Sequence, residues 1–352
     1  MSHPDNWTNL HAKIHRTIRA RHLFERSSRL LVAVSGGQDS LCLVKLLLDL
    51  QPKWGWDLGI AHCDHRWRAD SQANVQHVEN LAKNWRIPFY LETTTNVLNS
   101  EATARNWRYQ ALTTIAQENN YHFIVTGHTS SDRAETLIYN LMRGTGIDGL
   151  QSLTWQRPLS EGILLVRPLL EITRQQTAQF CQYFNLLVWE DATNQDLKYA
   201  RNRIRQELIP YLREHFNPKI ESTLAHTAEI LQAEVEYLET ATQQLREEAM
   251  LSDAENENVF TLAPLSIPAS SVPLRINRRV LQTAPLALQR RVMRQLLVAA
   301  LPQAPSFEQI AKLTALITAP NRSQTDPFPG GAIAQVQGDW IVFRSHETPT
   351  PL

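Results

Sequence analysis

The chain reads as an α/β protein: a doubly wound parallel sheet, then a smaller, mainly helical C-terminal domain. Three observations carry that reading. Strand-like and helix-like segments alternate from residue 11 to residue 142. A glycine pair joins the first apolar strand to an apolar helix, and near residue 216 the alternation gives way to one long helical pattern.

Taken in order, His11 to Phe24 has a helical pattern. Leu31 to Val34 is a run of four apolar, partly β-branched residues, as a buried strand requires. Gly36 and Gly37 turn the chain, and Ser40-Leu-Cys-Leu-Val-Lys-Leu-Leu-Leu opens an apolar helix. Strands are expected at Asp57 to His62, Pro88 to Glu92 and Phe123 to Thr126, with helices at Gln72 to Trp85, Ala102 to Asn119 and Asp132 to Met142. Such alternation places ligands at the carboxyl ends of the strands. The segments 35–40, 62–65 and Gly127-His128 all fall at such ends.

The second half begins with a helix expected over residues 218–250, where Leu224, Leu231, Leu238 and Leu245 recur every seven residues. That spacing suits a coiled-coil homodimer or packing onto the helix's own domain, and so short a seam favours the second. A proline- and serine-containing stretch, Ala263 to Pro273, leads to helices at Leu286 to Ala300 and Ser306 to Ala319, and Gly330 to Arg344 alternates like a hairpin. The expected domains are 1–216 and 217–352.

The chain has 352 residues, and its 35 basic and 35 acidic side chains cancel, so net charge identifies no partner. No apolar run approaches the ~20 residues that span a bilayer, and the first residues lack the pattern of a signal peptide. Cys42, Cys63 and Cys181 lie far apart, so the thiols form neither a disulfide framework nor a paired metal site. A cytoplasmic protein with no membrane partner is expected. Charge is unevenly spread. Six basic residues crowd the segment from Lys198 to Lys219, and six arginines with no acid lie between Ser271 and Arg294. Between these segments, Glu221 to Phe260 holds ten acids and one base. Two basic segments of this kind suit one polyanion, although solvated helix faces produce the same pattern.

Residues 35–40 read Ser-Gly-Gly-Gln-Asp-Ser. A strand, a glycine turn and a helix N-terminus make a nest of N–H groups suited to phosphate. Gly36 and Gly37 allow close backbone approach, while Ser35 and Ser40 add hydroxyl donors. Asp39 would repel phosphate unless a divalent cation lay between them, which implies Mg²⁺. No lysine follows the glycines, so this is not the GxxxxGK[ST] loop. The segment resembles the pyrophosphate loop of the PP-loop ATP pyrophosphatases, a resemblance that implies ATP binding by Ser35 to Ser40 and cleavage between the α and β phosphates.

Further constellations accompany the loop. His128, Asp132 and Glu135 share one helix face if the helix begins by His128, and could there hold Mg²⁺, bind an amine or act as a base; simple N-terminal capping is the structural alternative. Arg105 and Arg108 sit one turn apart and suit a triphosphate. Arg143 closes the next helix, and Tyr199-Ala-Arg-Asn-Arg-Ile-Arg205 is a guanidinium cluster fit for pyrophosphate or a nucleic-acid backbone.

The ordered set is SGGQDS (35–40), HCDHRWR (62–68), EATARNWRY (101–109), TGHTSSDRAET (126–136), RGTGIDGL (143–150), RPLL (167–170) and WEDATNQDLKYARNRIR (189–205). Over residues 30–215 it resembles the tRNA(Ile)-lysidine synthetase family, carbon–nitrogen ligases within the PP-loop superfamily. The resemblance implies ATP, Mg²⁺, L-lysine and a tRNA(Ile) with a CAU anticodon as reactants, with lysidine formed at the wobble cytidine through an adenylated intermediate. It further implies catalytic roles for Asp39, Arg108, His128, Asp132 and Glu135, and metal binding by Asp39 and Asp132. His62, Arg105, Arg143 and Arg205 are then nucleotide or phosphate candidates, and Arg201, Arg203, Arg278 and Arg279 candidates for tRNA contact. Two departures stand out. Ser131 and Arg133 replace an acid and a glutamine usual in the family, and Arg66-Trp67 replaces a small-plus-aliphatic pair. A tRNA thiolase shares the loop but uses paired cysteines, and a non-catalytic nucleotide sensor would not need the arginines and acids together.

Overall fold

Leu30 and Val32 point from strand β1 (Arg29–Ala33) into one layer of helices, and Leu31 points into another. This alternation on a fully buried strand is what a doubly wound sheet demands. The computed structural model describes residues 7–67, 70–95, 100–189, 196–251 and 274–344. Ala263 to Pro273, Arg68 and residues 190–195 of the last quoted motif lie outside them.

In the first layer are α1 (Asn9–Ala20), α2 (Gln38–Trp54), α3 (Ser71–Trp85) and α7 (Arg174–Tyr183). Of these, α2 is apolar almost all round, burying Leu41, Leu43, Val44, Leu46, Leu47 and Leu50, as befits a central helix. On the other layer α4 (Glu101–Glu118) sets Leu112, Ile115 and Ala116 against Leu31, Ala61 and Ile124. The strands β2 (Asp57–Asp64), β3 (Phe89–Thr93), β4 (Phe123–Thr126), β5 (Gln156–Ser160) and β6 (Ile163–Val166) complete a sheet of order β3-β2-β1-β4-β6-β5. Its pairs are parallel except at the edge, where β5 runs antiparallel to β6. Order reverses between β1 and β4, so the loops that follow them diverge and leave a crevice at their carboxyl ends.

After β4, α5 (Ser130–Met142) begins two residues beyond His128, with Thr129 as its N-cap. The short α6 (Ile147–Leu150) follows. Further on, α8 (Ala200–Arg203) and α9 (Ile209–His215) are joined by a π-helical turn, Ile204–Leu208. The wider turn brings Ile204 and Ile209, five residues apart, onto the same buried face against Ala134 and Ile138 of α5. In a regular α-helix they would point well apart.

Residues through Gln232 form one compact unit and those from Ala233 another, dividing inside α10 (Ile220–Leu251). Leu224 packs near Ile204 and Ile209 in the first unit, and Leu245 is buried in the core of the second. The heptad leucines that bracket the helix are thus used within the chain. The second unit holds β7 (Arg275–Asn277), α11 (Arg278–Gln282), α12 (Leu286–Ala300), α13 (Phe307–Ala315), β8 (Ile333–Gln337) and β9 (Trp340–Arg344). Its antiparallel sheet, order β7-β9-β8, adds a strand to the expected terminal hairpin. Among the described residues no helix is long and apolar enough to cross a membrane.

One polar cluster fixes α5 to the start of α10. Arg133 is fully buried, with Nη1 donating to Glu229 at 2.6 Å and Nη2 to Gln232 at 3.2 Å. Trp155 Nε1 and Arg21 Nη1 also donate to Glu229, at 2.8 and 2.7 Å. Burial works against the Glu229 charge, but the Arg133 and Trp155 hydrogen bonds and the Arg21 charge outweigh it and lower its pKa. Glu229 therefore contributes stability that is complete above its unfolded value of 4.5 and lost as pH falls through the lower folded value. Replacing Glu229 with alanine strands a buried guanidinium, and a loss of about 3–5 kcal/mol is expected in urea unfolding at pH 7. The difference from wild type should shrink as the pH is lowered below 4.5.

Candidate functional site

The glycine-containing loop and the loop after β4 meet at the crevice. Gly36 has φ +87°, and a Cβ there would strike Asn74 Oδ1 and lie 3.2 Å from Trp189 Cβ. Both the conformation and the space require glycine. The loop is laced internally: Ser40 Oγ donates to Gly37 O at 2.8 Å, Ser35 N to Ser40 Oγ at 3.2 Å, and Asn74 Nδ2 to Ser35 O at 3.0 Å. Gly127 is equally constrained, since a Cβ would stand 2.9 Å from the Asp39 carbonyl carbon and oxygen. Close contact between the two loops therefore rests on that glycine.

Arg174, the first residue of α7, lies at the centre of the site. Its Nε donates to Asp39 Oδ2 at 3.2 Å, its Nη1 to Glu135 Oε1 at 2.9 Å and its Nη2 to Asp132 Oδ1 at 2.6 Å. Sequence reasoning missed it, although Thr173-x-x-Gln176 is a capping box that marks the helix start beside it. Ser131 Oγ accepts from Arg174 N at 3.1 Å, and Gln38 Nε2 donates to Arg174 O at 2.8 Å. Gln38 and the departure at Ser131 thus serve to place Arg174. The departure at Arg133 is absorbed by Glu229.

The carboxylates differ in state. Burial raises the pKa of Asp39, with Asp132 adding to the rise, against the Arg174 charge and hydrogen bonds from Thr177 and Arg174. Burial works on Asp132 in the same direction, but Arg174 and the Thr129 hydrogen bonds prevail and lower it. Asp132 Oδ2 accepts from Thr129 N at 2.8 Å and Thr129 Oγ1 at 2.7 Å. Asp132 is therefore a helix cap through one oxygen and a cation ligand through the other. Glu135 is buried and also held by Arg205, Nε to Oε1 at 2.7 Å and Nη2 to Oε2 at 2.8 Å.

His128 sits between this acidic half and a basic one. It precedes α5 and so does not share the helix face of Asp132 and Glu135, contrary to the sequence expectation; its Nδ1 is 2.9 Å from Thr126 Oγ1. Burial, then the charges of Arg167, Arg105 and Arg108, hold its pKa down against the pull of Asp132, leaving a neutral imidazole. Arg167, buried, donates to Thr154 O at 2.5 Å. The guanidiniums of Arg105 and Arg157 lie 5.6 and 4.8 Å from the Tyr109 ring.

Other expected site residues are placed differently. His62 is buried, its Nδ1–H bonded to Val34 O at 2.7 Å and its pKa lowered chiefly by burial, so it fastens the strand-to-loop junction rather than phosphate. Arg105 and Arg108 diverge, since Arg108 donates to His65 Nε2 through Nε at 3.2 Å and Nη2 at 2.9 Å. The guanidiniums of Arg143 and Arg201 lie over Tyr139 at 5.4 and 5.6 Å, and Arg203 is exposed. In the second unit Arg279 pairs with Asp339 at the surface at 2.8 Å. Arg278 corrects an expectation: it is buried and its Nη1 bonds to Ala319 O, so it holds the fold and is not presented to RNA.

An ATP-using PP-loop enzyme is the class that this loop and sheet define: residues 8–212 match the PP-loop domain family and residues 277–341 the TilS substrate binding domain. The chain belongs to the tRNA(Ile)-lysidine synthase family, which makes it a tRNA-modifying ligase. It is 74% identical over 341 residues to the tRNA(Ile)-lysidine synthase of Nostoc sp., covering 97% of this chain and 98% of that one. The same enzyme of Synechocystis sp. is 47% identical, with 96% and 98% covered. Among solved structures, the tRNA thiolase NcsA from Methanococcus maripaludis shares the fold, with a TM-score of 0.54 at 14% identity over 63% of this chain and 78% of that one.

Removing the Arg174 guanidinium would leave Asp39 and Asp132 facing each other uncompensated, and both would take up protons more readily. Their folded pKa values would then exceed the unfolded ones, so stability is lost as pH rises through the raised values. Arg174→Ala should therefore melt lower than wild type at pH 8 and recover part of the gap by pH 5. An unchanged gap in thermal melts at the two pH values would refute this account.

Proposed function

We propose that the chain ligates free L-lysine to C2 of the wobble cytidine in a tRNA(Ile) with a CAU anticodon, in the cytoplasm, using ATP and Mg²⁺. The observation that carries this reading is the convergence of Asp39, Asp132 and Glu135 on one guanidinium beside the phosphate loop. A set that holds one organic cation so closely is chemically suited to a metal ion at one end and an ammonium at the other.

The backbone N–H groups at Ser35 to Ser40 and the start of α2 would cradle pyrophosphate. Among the described residues no cluster of three metal-ligating side chains exists, and Mg²⁺ ordinarily needs only one or two carboxylates plus phosphate oxygens. Asp39 and Asp132, both hard oxygen donors turned toward one cation, fit that requirement and would hold it. The ion would neutralise phosphate charge beside Asp39. Attack of the cytidine C2 oxygen on the α-phosphorus, with loss of pyrophosphate, then makes C2 electrophilic and its oxygen a good leaving group. The charges of Arg167, Arg105 and Arg108 bear on His128, and a transferring phosphoryl group requires positive charge of this kind. His128, neutral, can orient or donate but does not need to lose a proton first.

Free lysine arrives as an ammonium with a pKa of ~10.4, so it must be selected as a cation and then deprotonated. Beside Glu135 lies a cleft of about 360 Å³ lined by Arg174, Arg205, Arg213 and Glu221, among others. Its volume is within the usual ligand range of about 300–1,000 Å³. The arginines suit the lysine α-carboxylate, while Glu135, Asp132 and Glu221 suit its amines. Attack of the ε-amine on C2 expels AMP, and the amine's proton passes to a carboxylate. Lysine would have to draw Glu135 away from Arg174 and Arg205.

Incorporation of labelled lysine into a tRNA(Ile) transcript with a CAU anticodon, and not into the matching tRNA(Met), is the expected result with ATP and Mg²⁺. Absence of label would overturn the reading. Asp39→Ala and Arg108→Ala should abolish adenylation, followed as tRNA-dependent pyrophosphate release in a single turnover, whereas Glu135→Ala should reduce lysidine formation at least about tenfold more than that pyrophosphate release. Equal loss of both steps would refute this division between Asp39 and Glu135.

A further inference from the structure

Where β2 ends, the chain holds a tryptophan on the surface with nothing apolar required of it. Asp64 Oδ1 accepts from Arg66 N at 2.9 Å, and Arg66 adopts φ +53°, a left-handed conformation that a side chain this large rarely takes. The turn folds Trp67 back over His65, ring centroids 5.6 Å apart at 33°. On its other side His65 meets Trp107 of α4, edge to face, at 4.8 Å. Trp67 is nevertheless 47% exposed.

The middle ring is held in one state. Arg108 can only donate, so His65 Nε2 accepts and the proton resides on Nδ1. Nδ1 is buried with no partner among the described residues, an unmet donor that costs stability. Burial and the Arg108 charge press the His65 pKa down to about 4, so the ring stays neutral and apolar near pH 7. The surroundings are basic: Arg66 and Arg108 are exposed beside the rings, while Asp64 is buried. His65 follows β2, whose parallel neighbour β1 leads into the 35–40 loop, so the cluster stands at the same edge of the sheet as that loop.

We propose that Trp67, His65 and Trp107 form a stacking platform for an unstacked base of the substrate RNA, a neighbour of the cytidine that reacts. Flat π-faces flanked by guanidiniums are the chemistry of single-stranded nucleic-acid binding, the rings taking a base and the cations its phosphates. A protein partner would be expected to meet aliphatic surface around the indoles, and here it would meet arginines. Such a platform would hold the anticodon loop splayed while the adjoining base enters the crevice. The inference rests on the proposed tRNA reading and deepens it.

The test is binding of an anticodon stem-loop in which each loop nucleotide is in turn made abasic. Trp67→Ala should weaken binding about 5- to 100-fold, the range of one lost base–aromatic stack, and raise KM for tRNA while KM for ATP moves less than about twofold. Trp67→Phe, which keeps a ring and guards against a folding artefact, should restore most of the affinity. One abasic position should cost wild type as much as Trp67→Ala does and cost the variant nothing further. Additive losses at every position, or wild-type affinity in Trp67→Ala, would overturn the platform. If wild type makes no lysidine, the tRNA reading fails by itself, and tryptophan quenching by an unpaired oligonucleotide still decides the platform: quenching lost in Trp67→Ala sustains it, and quenching retained defeats it.

Discussion

Three carboxylates gathered in a half-buried crevice would repel one another and lose their charge if nothing stood between them. Arg174 is what stands there. Its planar fork reaches Asp39, Asp132 and Glu135 from separate nitrogens, a geometry that a lysine, a single point of charge, could not supply. Those carboxylates come from α2 and α5 and the guanidinium from α7. One side chain therefore sets the spacing of the three elements that frame the crevice. Ser131 and Gln38 bind the backbone of Arg174, so its position is fixed at both ends.

The charges around this fork are sorted. Asp132 draws the His128 charge one way, and the guanidinium charges of Arg167, Arg105 and Arg108 oppose it. A nucleotide has the same asymmetry, anionic at its phosphates and electron-poor at an activated base carbon where a cationic amine must arrive. His128 at the boundary remains uncharged because burial, and with it the basic side, outweighs Asp132. A charged imidazole there would blur the division on which each half depends.

The phosphate loop, the strands through β4 and the acids of α5 were all legible in the sequence, because glycine, apolar period and capping chemistry are local signals. What was not legible is instructive. The β5–β6 hairpin is hidden because Gln156-Arg-Pro-Leu-Ser160 is short, polar and proline-containing, and belongs to a sheet edge. Missing that hairpin also hid α7 and with it Arg174, whose importance comes from residues 135, 42 and 39 positions away in the chain. Spacing within one segment cannot report such meetings. The same limit explains Arg278, which is basic by composition yet enclosed by its own unit, and His62, whose imidazole is taken up by the neighbouring strand.

The π-helical turn at Ile204–Leu208 carries one residue more than a regular helix would need to make the same circuit. Arg205 lies inside it and meets Glu135 in register only because Ile204 and Ile209 share a face. Along most of a helix, a protein tolerates change according to which side chain is offered. Here the count is already one in excess: loss of a single codon within the turn would leave a regular helix whose two flanks keep their facing, whereas the same loss elsewhere in the helix would turn everything on one side by about 100°. Tolerance to a one-residue deletion, ordinarily a property of loops, is thus built into the middle of a helix.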